Sequence, residues 1–251
     1  MASLSARSLP GLPEVRAGDD LAALIVQALA GDELRDGQVV AIAHKVVSKA
    51  EGAVVALAEV SPSERARALA AALGKDARAV QVVLDESVEV LRAERGVLVS
   101  RTRHGFVCAN AGVDASNAPA ADTLVLLPRD PDRSARGIRA RLRELTGRRP
   151  AVLVSDSFGR PWRHGQLDVA VGLAGMHPLD DWRGRTDAAG LQLQATWLAN
   201  ADAAAASAEL ARAKDSREPV VVLSGLDRYV TPEDGPGATA LLRPAAEDLF
   251  R

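Results

Sequence analysis

The chain has 251 residues, and 31 basic against 33 acidic side chains leave a formal charge of −2, so charge alone gives no basis for nucleic-acid binding. At 47% hydrophobic and 25% charged it is too apolar for intrinsic disorder and has a core to bury, in one large domain or two small ones. No run reaches the roughly 18 uncharged apolar residues of a membrane span, residues 1–13 lack a basic-then-apolar leader, and a single cysteine, Cys108, excludes an internal disulfide, so a cytoplasmic protein is expected.

Asp19 and Asp20 ahead of Leu21, Leu24, Ile25, Ala28 and Leu29, with Gly31 beyond, predict a capped amphipathic helix. The β-branched run Gly37–Val47 predicts a strand that delivers Ser48, Lys49 and Glu51 into a loop. Ser61–Arg65 opens a second helix ending at Gly74, and Asp76–Leu91 a third with a strand tail. Apolar stretches at Gly96–Ser100, Gly105–Ala109 and Thr123–Leu127 precede a helix over Ser134–Leu145 that Gly147 terminates. Val152–Val154 reads as a short buried strand, Val169–Ala174 and Leu191–Leu198 as further strands, Asp202–Ala213 as an alanine-rich helix and Val220–Leu223 as a last core strand. The glycine- and proline-rich stretch 232–237 reads as a mobile loop. Without strict alternation of strands and helices, the class is mixed α/β (α+β) with mixed sheets, and neither a P-loop nor a dinucleotide Gly-x-Gly-x-x-Gly follows a strand.

Two segments could carry chemistry. Asn110–Asn117 follows an apolar strand with small residues and oxygen side chains; Asp114 could hold a hard cation and Asn117 a nucleotide, although Asp114, Ser116 and Asn117 equally suit Asx-type turns. Ser155, Asp156 and Ser157 at the mouth of a buried strand offer oxygen ligands for Mg²⁺ or Mn²⁺, and Arg160 and Arg163 could clamp anions; a turn cap with surface arginines is the alternative. Two of only four lysines, Lys45 and Lys49, share one short segment, which points to a compact ammonium there. Cys108 lies in an alternating apolar run and reads as buried and inert, and neither His164 nor His177 has a partner at ligand spacing.

Six segments in chain order, Gly11–Asp20, Val46–Gly52, Asn110–Asn117, Leu127–Asp132, Asp156–Arg163 and Leu242–Phe250, resemble the coenzyme F420:L-glutamate ligase family over nearly the whole chain. The resemblance implies GTP-dependent amide ligation, in which L-glutamate is added to a deazaflavin coenzyme precursor through an acyl phosphate. It also implies Mg²⁺ or Mn²⁺, K⁺, and a homodimer of subunits with two intertwined subdomains. Leu12, Pro13, Glu14, Val15, His44, Lys49 and Asn117 would bind GTP, and Asp114, Asp156 and Ser157 the metals. With the anion-clamping Arg160, Asp114 and Asp156 make up the expected catalytic set. The chain departs from relatives at His44, where they have a serine, and at Lys214, where some have an acidic metal ligand. Residues 1–251 are expected to form a single ligase unit without the flavin-binding extension of some relatives. A metal-dependent phosphohydrolase and a non-catalytic nucleotide-binding subunit are the competing expectations.

Overall fold

Residues 3–248 are described in a computed structural model of the chain. Leu249 and Phe250, which end the last of the six segments, lie outside the described residues, as do Met1, Ala2 and Arg251. The elements in order are β1 (Ser5–Ser8), α1 (Leu21–Ala28), β2 (Val39–Ala43), α2 (His44–Ala50), β3 (Val54–Ala56), α3 (Glu64–Leu73), α4 (Ala77–Asp85), β4 (Ser87–Glu94), β5 (Val97–Thr102), β6 (Val107–Ala109), β7 (Thr123–Val125), α5 (Pro131–Thr146), β8 (Ala151–Arg160), β9 (Arg163–Ala174), β10 (Leu179–Asp181), β11 (Trp197–Ala199), α6 (Asn200–Ala211) and β12 (Val220–Ser224).

β2, β12 and the first half of β8 are apolar on both faces, as strands covered from two sides must be. They form the middle of a five-stranded sheet ordered β1-β12-β2-β8-β9, in which only the β2–β8 pair is parallel. Val40, Ile42, Val152, Val154, Val220 and Val222 face one core with α1 and α5. Val39, Ala41, Leu153, Val221 and Leu223 face the other, where Ala201, Ala204, Ala205 and Ala208 let α6 approach closely. A third apolar cluster, built by α3, α4 and the three-stranded sheet β4-β5-β6, takes its buried residues from Leu57 to Leu124. The architecture is α+β with mixed sheets, as the sequence predicts.

Caps end the helices where expected. Asp20 accepts a hydrogen bond from the Ala23 amide at 3.0 Å, and Gly74 and Gly147 close α3 and α5 in left-handed conformation.

Four expectations change. The run Gly37–Val47 is not one strand: pairing with β8 stops at Ala43 opposite Ser155, and α2 begins at His44. Val46 and Val47 are buried by a helix here, and apolar runs this short do not separate strand from buried helix by periodicity. Lys49 therefore stands on a helix and not in a loop. Of Leu191–Leu198 only Trp197 and Leu198 are in a strand, because the segment is exposed and its alternation has no core to face. The strand at Val152–Val154 continues to Arg160, so Ser155, Asp156 and Ser157 lie within β8. The loop at 232–237 is fastened by Arg139, which is buried and donates to the carboxylate of Asp234 at 2.7 Å, while the Asp234 carbonyl accepts from the Gly175 amide at 2.8 Å.

Candidate active site

α2 follows β2 directly, so its first turn stands at the carboxyl end of the parallel β2–β8 pair, where open α/β sheets place their ligands. Side chains four apart share a helix face. On one face His44 and Ser48 turn inward: the imidazole is 2% exposed, its Nδ1 lies 3.4 Å from Ser48 Oγ, and its Nε2 lies 3.3 Å from Oδ1 of Asp156 without hydrogen-bond geometry. The adjacent face carries Lys45 and Lys49 toward the 110–117 loop.

That loop is shaped by three successive left-handed residues, Asn110 (φ 51°), Ala111 (φ 54°) and Gly112 (φ 72°). Gly112 is required twice over, since a Cβ there would also stand 2.7 Å from Cγ of Leu127. Beyond the turn, Asp114 is held to Val125 by a pair of backbone hydrogen bonds of 3.0 and 2.8 Å. Its carboxylate then accepts from Lys45 Nζ at 2.6 Å and from the Ser116 amide at 2.7 Å, while the Ser116 hydroxyl bridges the same carboxylate and Lys45. Burial pushes the Asp114 pKa up, but the Lys45 and Ser116 hydrogen bonds outweigh it and hold the carboxyl below its ordinary range.

Lys49 is 6% exposed and reaches Glu14 Oε1 at 2.5 Å and the Asn117 carbonyl at 3.4 Å. Three residues far apart in sequence, Glu14, Lys49 and Asn117, thus meet. Of the remaining segment, Val15 is buried, Leu12 packs partly against the core and Pro13 is exposed; the Gly18 amide ties the segment to the Ala50 carbonyl at the end of α2.

Side chains alternate along β8, so Asp156 faces α2 while Ser155 and Ser157 face α6. On the α6 side sequence reasoning missed a polar cluster. Asp168 of β9, buried directly across from Ser157, accepts from Ser157 Oγ at 2.6 Å and from Ser155 Oγ at 2.9 Å and pairs with Arg212. Glu209 receives the Asp168 amide at 2.9 Å, and Lys214 contacts Glu209 at 3.2 Å and the Ser157 hydroxyl. No sequence signal joined Asp168, or Arg212 44 residues later, to Ser157; the β8–β9 register and the end of α6 bring them there. Arg160 is at the exposed hairpin end and donates to the His164 and Gly165 carbonyls. The expected catalytic trio is therefore not gathered by direct contact, and Asp114 and Asp156 are linked instead through the neighbouring residues Lys45 and His44.

Among the described residues no three His, Cys, Asp or Glu side chains cluster as a ready metal cage. The donor chemistry nonetheless fits a hard cation: Asp114, Asp156 and Ser157 offer oxygen only, and ammonium groups already stand against Asp114 and Ser157.

A sequence profile described as F420-0:Gamma-glutamyl ligase matches residues 11–225. The chain belongs to this family. It is 46% identical over 252 residues to "Coenzyme F420:L-glutamate ligase" of Methanothermobacter thermautotrophicus, an alignment covering 99% of each chain. Family members of the same description from Methanopyrus kandleri (46% identical, covering 95% of this chain and 94% of the relative) and Methanocaldococcus jannaschii (38%, covering 96% and 94%) match nearly as fully. No helix among the described residues is long and apolar enough to cross a membrane.

Proposed function

We propose that the chain is a γ-glutamyl ligase that uses GTP to join L-glutamate to the deazaflavin coenzyme F420 precursor. The observation that carries this reading is the 46% identity, spanning 99% of both chains, to a protein named for that ligation. The arrangement along α2 supports it: two lysines and three carboxylates, Glu14, Asp114 and Asp156, from distant segments converge at one sheet end, which suits a polyphosphate and the cations that neutralise it.

In this reading the precursor carboxylate attacks the γ-phosphorus of GTP and GDP leaves; the glutamate amine then attacks the acyl carbon, loses a proton and expels phosphate. Such chemistry needs positioning and charge neutralisation and no protein nucleophile. Lys49 reaches the phosphates from α2, with Glu14 and Asn117 framing the nucleotide beside Leu12, Pro13 and Val15. Asp114 and Asp156 on the α2 side and Ser157 on the α6 side would hold Mg²⁺ or Mn²⁺, which when bound would supply screening of the phosphate charge and polarisation of the phosphoryl group. Arg160 gathers anionic substrate at the hairpin end, and His44 supports the nucleotide end of α2. K⁺ dependence and a homodimer complete the proposal.

The test combines purified protein, GTP, the deazaflavin precursor and Mn²⁺, with and without L-glutamate, and follows GDP and the product by mass spectrometry. A ligase yields a glutamylated product only when all are present. GTP loss independent of glutamate and precursor indicates a phosphohydrolase, and binding without turnover a non-catalytic subunit.

A further inference from the structure

Asp168 is the most enclosed carboxylate next to a proposed metal ligand, with 2% of its side chain exposed. Its two oxygens take the hydroxyl protons of two serines, Oδ1 from Ser157 at 2.6 Å and Oδ2 from Ser155 at 2.9 Å. A serine hydroxyl has one proton and two lone pairs. Once its proton is committed to a carboxylate, each serine can only accept, and each does accept from a cation. Ser155 takes an N–H of Arg212 at 2.8 Å, and Ser157 takes an N–H of Lys214.

The two serines differ in access. Ser155 is buried and its cation, Arg212, is locked to Asp168 and to the Pro219 carbonyl at 3.0 Å. Ser157 is part-buried and its cation, Lys214, is 69% exposed and held otherwise by Glu209 at 3.2 Å and, more distantly, by Asp168 Oδ1 at 3.8 Å. An exposed ammonium can leave; a buried guanidinium cannot without stranding Asp168.

We infer that Asp168 is a positioning residue: by fixing the hydroxyl proton of Ser157 it turns that side chain into an oxygen ligand aimed at a divalent cation, with Lys214 standing on the same lone pairs. The inference rests on the proposed metal role of Ser157. Partners that orient metal ligands in this way are worth about 10- to 100-fold in metal affinity.

Mn²⁺ titrated into the full chain with a non-hydrolysable GTP analogue, with free Mn²⁺ read by electron paramagnetic resonance, separates the possibilities. Asp168→Asn is expected to weaken Mn²⁺ binding about tenfold or more, and to add nothing in a Ser157→Ala background, because the two act through one oxygen. Should Asp168→Asn fail to fold for want of a partner for Arg212, Asp168→Asn/Arg212→Gln removes both charges and carries the same expectation. If Ser157→Ala weakens Mn²⁺ while neither Asp168 variant does, or if the losses add independently, Asp168 only stabilises the fold and the inference alone is overturned. If Ser157→Ala leaves Mn²⁺ binding unchanged, the metal role of Ser157 falls and the inference with it.

Discussion

Asp114 and Asp156 come from segments 42 residues apart in number and meet the first turn of α2 on its two adjacent faces, one through Lys45 at 2.6 Å and one beside His44 at 3.3 Å. Asp114→Asn and Asp156→Asn keep the side-chain shape but remove the charge a hard cation favours. Each is expected to abolish ligation while leaving the thermal transition near that of the parent; near-normal turnover at saturating Mg²⁺ would remove that aspartate from the metal site. Lys49→Ala should raise the GTP KM roughly tenfold to hundredfold, the equivalent of about 1.5–3 kcal/mol for a charge-assisted contact. His44→Ser should be mild by comparison, and initial-rate kinetics in which the order is reversed would move the nucleotide away from Lys49. Cys108 offers a check on burial: enclosure, then the negative charge of Asp156, push its thiol up to about 12, against a smaller lowering by the Gly112 amide. An unfolded cysteine ionises near about 8.5, so stability is undiminished below that pH and falls as the pH climbs toward the folded value. Iodoacetamide at pH near 8 should therefore label Cys108 in guanidinium but not in native buffer; equal rates would contradict the burial.

At the scale of elements, local signals were legible and long-range ones were not. The Asp20 cap and the closing glycines of α3 and α5 were readable because each acts within a few residues of its own helix. The boundary between β2 and α2 was hidden by Val46 and Val47, whose burial looks the same in either state, and with it the pairing of Lys45 with Asp114. Asp168 and Arg212 were invisible because only the hairpin register and the packing of α6 bring them to Ser157. The Leu127–Asp132 segment, read as part of the family pattern, has a structural reason to exist. Asp130 caps α5 through the Arg133 amide at 3.0 Å, Pro131 starts the helix, and Asp132 is buried and accepts from the amides of Leu173 at 2.8 Å and Ala238 at 2.7 Å. Gly172 permits that approach, since a Cβ there would lie 2.3 Å from the Pro131 carbonyl oxygen. Asp132→Ala strands two buried amides at about 1–3 kcal/mol each. A drop of several degrees in Tm is expected, and a melting curve within about a degree of the parent would show that the loop is not fastened there.

For the whole molecule, the central sheet with helices on both faces is a platform, and the proposed site residues collect at the end where β2 hands over to α2 and β8 runs on past its partner. The proposed homodimer predicts twice the 26.3 kDa chain mass by light scattering at micromolar concentration; a monomer with full activity would set it aside. The ligase reading itself is tested most directly by one measurement, the mass of the deazaflavin product after incubation with GTP, Mn²⁺ and L-glutamate. The account predicts a precursor extended by glutamate in step with GDP formation, and no GDP beyond background when glutamate is omitted. GDP formed at the same rate without glutamate or precursor, with the deazaflavin unchanged, would contradict it.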